Sequence, residues 1–143
     1  MTQEEKQLLL QDLCARLPYG VNCNGFYYEE PDYKTPYEHI KTCKGHVDSI
    51  DHIGFDDGEI YVIIEGIPCE LSNVKPYLRP MSSITEEERK EYRIECKKVL
   101  LMRYSVKSHY PVTDWLNAHH FDYRGLIEKG LALEAPEGIY KIN

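Results

Sequence analysis

Two adjacent histidines and a nearby carboxylate are the residues of this chain that most suggest metal chemistry. They are His119, His120 and Asp122. Imidazole and carboxylate groups bind zinc and other divalent ions, so the trio suggests a small metal-assisted hydrolase. Neighbouring residues of a helix point about 100° apart, however, and Asp122 equally suits the N-cap of a following helix. We keep the three as secondary metal candidates and expect no cofactor.

A second set of metal-binding residue types, His46, Asp48 and His52, could share one face of a strand, because alternate strand residues point to the same side. Ile50 falls on that face between them. A core residue between two ligands makes a metal site less natural, so the favoured interpretation is a solvated polar edge.

Signatures of nucleophilic catalysis and of phosphate loops are missing from the sequence. It contains no GxSxG, GxxxxGK[ST] or GxGxxG pattern, the motifs of nucleophile elbows, P-loops and dinucleotide folds. Glu86, Glu87 and Glu88 suggest a solvated first turn of a helix rather than an acid–base pair. No catalytic residue is predicted, and the sequence leaves enzymatic activity open while favouring binding.

Cations and flat aromatic side chains occur together in two segments of the chain. The candidate ligand-binding residues are Lys75, Tyr77, Arg79, Trp115, Tyr123 and Arg124. If the fold brings them together, they could hold an anionic ring compound by charge-assisted hydrogen bonds and stacking. The alternative is that Tyr77 and Trp115 belong to the core and the charges are solvated.

The overall charge argues against some classes of partner. The 143 residues include 17 basic and 24 acidic side chains, a net charge of −7. Such a surface repels phosphate polymers and anionic membranes, so nucleic acid is disfavoured as a partner and no membrane partner is expected.

A cytoplasmic location is expected. No stretch approaches the ~20 apolar residues that span a bilayer, and MTQEEKQLLL carries acids where a signal peptide carries basic residues. The five cysteines contain no CxxC pair, so we expect small buried side chains rather than a zinc or redox motif. They are Cys14, Cys23, Cys43, Cys69 and Cys96.

Two capping boxes mark the starts of two helices. Thr2-x-x-Glu5 predicts a helix from about Gln3 to Leu17, and Thr85-x-x-Glu88 predicts another that extends to about Tyr104. The first helix should bury an apolar stripe. The stripe consists of Leu8, Leu9, Leu13, Cys14 and Leu17.

The middle of the chain has the pattern of a strand meander. The strands are predicted at 21–28, with an interruption at Gly25, and at His46–Phe55, Glu59–Ile64 and Ile67–Leu71. Asp56-Asp57-Gly58 and Glu65-Gly66 are the turns, and a 3₁₀ turn follows at Ser72. Pro68 cannot donate a ladder hydrogen bond and predicts an edge strand. An exposed edge could pair with a second copy, so a homodimer is one candidate assembly.

The C-terminal third is predicted to form two short helices and a hairpin. Thr113 would cap the first helix and Asp122 the second, Tyr123–Lys129. Leu131–Glu134 and Ile139–Ile142 would pair across a type I turn at 135–138. This order suggests, as an alternative function, a winged-helix-like DNA binder, although the second helix carries balanced charges and would neutralise few phosphates.

The predicted fold is therefore one α+β domain spanning 1–143. It comprises an N-terminal helix (1–20), a small antiparallel curled sheet of four or five strands (21–80) and a helical region with a terminal hairpin (81–143). An SH3- or Sm-like half-barrel is the closest pattern for the sheet.

Three segments of the chain carry a resemblance to other proteins: LCARLPYG (13–20), VKPYLRPMSS (74–83) and DWLNAHHFDYRGLIEKGLALEAPEG (114–138). They resemble a family of small uncharacterised proteins from gut Bacteroidales genomes, their prophages and mobile elements. The resemblance implies no activity and no catalytic residue. It implies the cytosol of a bacterial host as the location, and a link to phage genes.

The function predicted from these observations is a non-enzymatic binding protein. It would sequester a host protein or a small anionic ligand of nucleotide type. Metal-assisted hydrolysis and DNA binding remain the alternatives.

Overall fold

The structure is a computed structural model that describes residues 1–30, 33, 39–52, 59–101 and 111–140, without the side chains at 52, 99–101 and 111. The helices in these ranges are α1 (Gln3–Arg16), α2 (Glu86–Leu101) and α3 (Pro111–Ala118). The strands are β1 (Asn22–Glu29), β2 (His39–His52), β3 (Ile60–Ile64), β4 (Ile67–Glu70), β5 (Val74–Leu78) and β6 (Leu133–Glu134). The predicted α+β class is confirmed.

One sheet contains all six strands in the order β4-β3-β2-β1-β5-β6. Neighbouring strands of the sheet are antiparallel, except for β5 and β6, which run parallel. The longest ladder joins β1 to β2, from Asn22 opposite His46 to Glu29 opposite His39. β4 lies at an edge of the sheet, as Pro68 predicted.

The packing around Gly25 shows that the sheet curls. Two strands separate β1 from β4 in the sheet order, yet a Cβ atom on Gly25 would lie 3.2 Å from the Sγ atom of Cys69 in β4. It would also lie 3.1 Å from Cδ1 of Ile64. A larger residue would push these neighbours apart. β1 passes through Gly25 without the predicted interruption. The SH3- or Sm-like half-barrel stays a prediction.

Two apolar clusters hold the layers together. α1 places Leu9 and Leu13, both fully buried, against the inner side chains of the sheet. Trp115, Leu116 and Phe121 form the second cluster, against which Tyr92 of α2 packs. The other face of the sheet carries polar and exposed residues.

Local sequence signals were accurate guides to local structure. Both capping boxes form, with reciprocal hydrogen bonds between Thr2 and Glu5 and between Thr85 and Glu88. α1 begins at Gln3 and ends one residue before the predicted Leu17. Glu65 and Gly66 have φ angles of 47° and 84°, the left-handed pair of a tight hairpin turn.

Several element boundaries were wrong. β2 begins at His39, seven residues before the predicted start, and Val74–Leu78 is a strand that the sequence analysis missed. Thr113 lies inside α3, which begins at Pro111. The predicted elements at 29–37, 53–58 and 102–104 lie largely outside the described residues.

The predicted helix Tyr123–Lys129 and the predicted hairpin do not form in the described residues. Both carboxylate oxygens of Asp122 accept backbone N–H groups, from Leu126 and Ile127, and hold a chain of turns instead. Leu133–Glu134 pairs with β5 rather than with the tail. The turn falls one residue later than predicted, with Gly138 at φ 83° in its third position. Residues 141 and 142 of the predicted partner strand lie outside the described residues. The winged-helix hypothesis therefore lacks its reading helix at 123–129.

Two burial predictions also need correction. Cys14 is exposed although it was assigned to the buried stripe, while Cys23, Cys43 and Cys69 are buried as predicted. Glu88 was placed in a solvated turn, but only 4% of it is exposed.

Candidate functional site

The outer face of the sheet carries a row of hydrogen-bond donors. Asn24 in β1 lies opposite Lys44 of β2 on one side and opposite Lys75 of β5 on the other. Residues opposite one another in adjacent strands project to the same face. Both lysines are exposed and Asn24 is half-buried. We call this set, Lys44, Asn24 and Lys75, the Lys–Asn–Lys row.

Aromatic rings lie beside this row. The Lys44 ammonium is 5.1 Å from the centre of the Tyr77 ring, a cation–π distance. Phe26 is two residues along β1 from Asn24 and therefore on the same face. It packs edge to face with Tyr28 at 6.2 Å between ring centres, and Tyr28 is 53% exposed. Planar apolar surface and positive charge thus alternate along the outer face.

A shallow hollow of about 290 Å³ lies at this face. Its lining residues are Asn24, Gly25, Phe26, Thr42, Ser72, Asn73, Lys75 and Leu133. Lys75 is the charged member among these lining residues, and none of them is acidic. The hydroxyl and amide groups of Ser72 and Asn73 add neutral hydrogen-bonding groups. The hollow therefore differs in charge from the acidic protein as a whole.

Arg79, directly after β5, and Glu88 of α2 form a buried, bidentate ion pair. Nη1 and Nη2 of Arg79 donate to the two Glu88 oxygens at 2.7 and 2.8 Å. These hydrogen bonds are the largest influence on Glu88 and lower its pKa to about 2, against the opposing effect of burial. The positive charge of Arg79 is therefore already neutralised within the fold.

Asp12 joins α1 to the C-terminal region through two arginines. It is fully buried, and its carboxylate accepts from Nε of Arg16 at 2.8 Å and from Nη1 of Arg124 at 2.7 Å. Arg16 is also fully buried and donates to the Phe121 carbonyl at 2.6 Å. The Tyr123 ring lies under both guanidinium groups. These contacts stabilise the fold, and the Asp12 carboxylate neutralises the charge of Arg124.

His120 occupies an unusual backbone position after α3. Its N–H donates to the Asn117 carbonyl and the next N–H, of Phe121, donates to Leu116. This is the Schellman pattern, whose left-handed residue is usually glycine. His120 has a φ of 62° there, a conformation that costs a non-glycine residue about 1–2 kcal/mol.

The His120 ring is enclosed and uncharged near neutral pH. It stacks on Tyr140 at 3.5 Å between ring centres. Burial, followed by the positive charges of Arg16 and smaller effects of His119 and Arg79, lowers the pKa of His120 to about 4. Its Nδ1 atom is buried and has no hydrogen-bond partner among the described residues. Tyr140 is anchored in turn, since its hydroxyl donates to the Tyr77 carbonyl at 2.7 Å.

A cavity of about 480 Å³ opens beside this stacked pair. Its lining residues are Tyr19, Gly20, Asn22, Arg79, Thr85, Glu87, Glu88, Glu91, Ala118, His119, His120, Ile139 and Tyr140. With Arg79 paired to Glu88, the charges left over in this lining are those of Glu87 and Glu91. The cavity is therefore acidic, in contrast to the hollow on the sheet.

The six ligand-binding residues predicted from the sequence fall in separate places. Lys75 and Tyr77 lie on β5, and Lys75 lines the sheet hollow. Arg79 lines the acidic cavity, paired with Glu88. Trp115 is 9% exposed and belongs to the second apolar cluster. Tyr123 and Arg124 lie near Asp12, on the α1 side.

The three metal candidates do not converge. His119 stacks on Trp115 at 4.0 Å, His120 stacks on Tyr140, and both oxygens of Asp122 accept backbone N–H groups. Within the described part of the chain, no three His, Cys, Asp or Glu side chains are grouped so as to hold a metal ion. His46 and Asp48 do meet, at 2.9 Å, and both side chains are exposed, while the His52 side chain lies outside the described residues.

Asn24, Phe26 and Lys44 were not among the site residues predicted from the sequence. Each alternates with a buried residue of its strand, as Asn24 and Phe26 do around Gly25. This period-two pattern could have placed them on one outer face. The register that sets Lys44 and Lys75 on either side of Asn24 depends on non-local pairing, and no local signal predicts it.

Comparisons with protein-family models, with curated proteins and with solved structures returned no match to this chain. Among the described helices, none has the length and apolar character needed to cross a bilayer.

Proposed function

We propose that this protein is a non-enzymatic binding protein and that its ligand is a small anionic ring compound of nucleotide type. The observation that carries the proposal is the Lys–Asn–Lys row, in which two exposed ammonium groups lie on either side of an amide across three adjacent strands. The strands are spaced about 4.8 Å apart, so the row spans roughly the width of a phosphate-bearing sugar.

The chemistry of each part of the face suits one part of such a ligand. Ammonium groups make charge-assisted hydrogen bonds to phosphate oxygens. An exposed aromatic ring offers a stacking surface for a heterocyclic base, and Phe26 and Tyr28 present such surfaces. Asn24 and Asn73 carry amides that donate and accept, as base and sugar edges require.

The distribution of charge favours a small ligand over a nucleic-acid polymer. Two lysines can neutralise one or two phosphates, whereas polymer affinity grows with the number of phosphates contacted. The rest of the protein is acidic, with a net charge of −7, and would repel a long phosphate chain. Sequestration of a host protein, and the link to phage or mobile elements, remain predictions from the sequence resemblance.

Titration calorimetry with cyclic AMP, cyclic GMP and cyclic di-AMP tests this proposal. We expect at least one of them to bind, with an affinity that falls as salt is raised. Lys44→Ala and Lys75→Ala should each weaken binding about tenfold or more, because a hydrogen bond to a charged group contributes about 1.5–3 kcal/mol.

Lys41→Ala is the matched control, because Lys41 is on β2 but on the opposite face from Lys44, and it is similarly exposed. It should leave the affinity unchanged. Absence of heat with all three nucleotides, or an equal loss in Lys41→Ala and Lys44→Ala, would refute the proposed site.

A further inference from the structure

His120 occupies a backbone position that favours glycine. A glycine at this φ of 62° would avoid the left-handed strain. The imidazole is instead 8% exposed, stacked on Tyr140, and without a partner for Nδ1 among the described residues. A strained and incompletely satisfied polar group of this kind is more typical of binding sites than of passive packing.

His120 lines the acidic cavity together with two carboxylates that pair with no lysine or arginine among the described residues. Glu87 and Glu91 are four residues apart on α2, so they project from the same side of the helix. Glu91 accepts from Nε1 of Trp115 at 3.3 Å, which fixes its position, while its side chain remains 58% exposed. The Arg79 charge does not offset them, because Glu88 already neutralises it at 2.7 Å.

The polar groups of this cavity are mainly acceptors. The Glu87 and Glu91 carboxylates accept hydrogen bonds and cannot donate them. Tyr19, 37% exposed at the cavity, adds an aromatic ring that attracts cations. A matching ligand must carry positive charge and several N–H donors.

We infer that the cavity beside His120 is a second binding site, for a small organic cation with several N–H groups, such as a polyamine or a guanidinium compound. The stacked His120 and Tyr140 rings form one wall, and Glu87 and Glu91 supply the charge. This site is independent of the sheet hollow, whose lining carries the opposite charge.

Calorimetric titration with spermidine and with agmatine tests the inference on the full chain. We expect saturable binding of at least one of them, and no saturable binding of tetramethylammonium, which has the charge but no N–H donor. Glu91→Gln and Glu87→Gln should each weaken binding about tenfold. Glu86→Gln is the matched control, since Glu86 lies in the same turn of α2 but does not line the cavity.

His120→Gly is a variant that should fold, because glycine suits the left-handed position. We expect it to weaken spermidine or agmatine binding severalfold while retaining a cooperative thermal transition. The inference is overturned if neither probe binds saturably, if tetramethylammonium binds equally well, or if Glu86→Gln loses as much affinity as Glu91→Gln. Unchanged affinity in a folded His120→Gly would remove the histidine from the site and overturn the inference as stated.

Discussion

Replacing Asp12 with alanine should lower the free energy of unfolding by about 3–5 kcal/mol. Asp12 is fully buried and accepts hydrogen bonds from Arg16 and Arg124. Its removal leaves Arg16, which is also fully buried, without a counter-charge in a poorly solvated place. The cost of that unpaired charge, rather than the loss of one contact, makes the effect large. Urea unfolding at pH 7 measures it directly.

Two further variants test whether the loss of stability comes from the buried Asp12–Arg16 pair. Arg124→Ala should cost less than Asp12→Ala, because Arg124 is 16% exposed and its loss leaves Asp12 paired with Arg16. Glu86→Ala should leave stability nearly unchanged, since the Glu86 side chain is 85% exposed and 3.8 Å from its partner Arg89. An Asp12→Ala protein as stable as Glu86→Ala would contradict a structural role for this buried network.

Glu88 should dominate the loss of stability at low pH. Its pKa in the folded protein is lowered from 4.5 to about 2, chiefly by the Arg79 hydrogen bonds. A depressed carboxyl pKa stabilises the folded state above the unfolded pKa, and this stabilisation is lost as pH falls from about 4.5 towards 2. The expected loss is roughly 3 kcal/mol, since one pKa unit corresponds to about 1.4 kcal/mol.

Glu88→Gln tests this assignment because it keeps the shape and removes the charge. At pH 7 it should lower stability by about 3 kcal/mol, since Arg79 is left buried without its counter-charge. Between pH 4.5 and 2 its stability should change less than that of the parent protein. The exposed neighbour variant Glu87→Gln should keep the parent's acid profile. A Glu88→Gln profile parallel to the parent's would show that other groups control acid unfolding.

The sequence was most informative where one short segment determines the structure. The capping boxes at Thr2 and Thr85 depend on side chains three residues apart, so their patterns could be recognised directly. Pro68 likewise predicted an edge strand, because the missing N–H is a property of one residue. These features needed no knowledge of the rest of the fold.

The errors arose where distant segments decide the outcome. Leu133–Glu134 pairs with β5, which is more than fifty residues away in the chain, so its local hairpin pattern was overridden. Glu88 had the sequence context of a solvated first turn, but it is buried in an ion pair with Arg79. Asp122 satisfied the pattern of an N-cap and instead anchors turns. Tertiary pairing overrides local preference in the first two cases, whereas the Asp122 contacts are local, to residues four and five positions further along the chain.

The candidate site was predicted only in part for the same reason. Lys75 and Tyr77 could be chosen from residue type alone, but their neighbours Lys44 and Asn24 join them through strand register. Arg79 and Arg124 had the right chemistry, and the fold commits both to buried carboxylates. Residue type identifies potential ligand groups, whereas only the packed structure shows which of them are free.

The most direct test of the central claim is amide chemical-shift mapping of the isotope-labelled protein during titration with the cyclic nucleotide that gives the strongest heat. The Lys–Asn–Lys row predicts saturable shifts centred on Asn24, Lys44 and Lys75, extending to Phe26 and Thr42, with little change in α1. Saturable shifts centred elsewhere, or none at any ligand concentration, would contradict a nucleotide-type site on the outer face of the sheet.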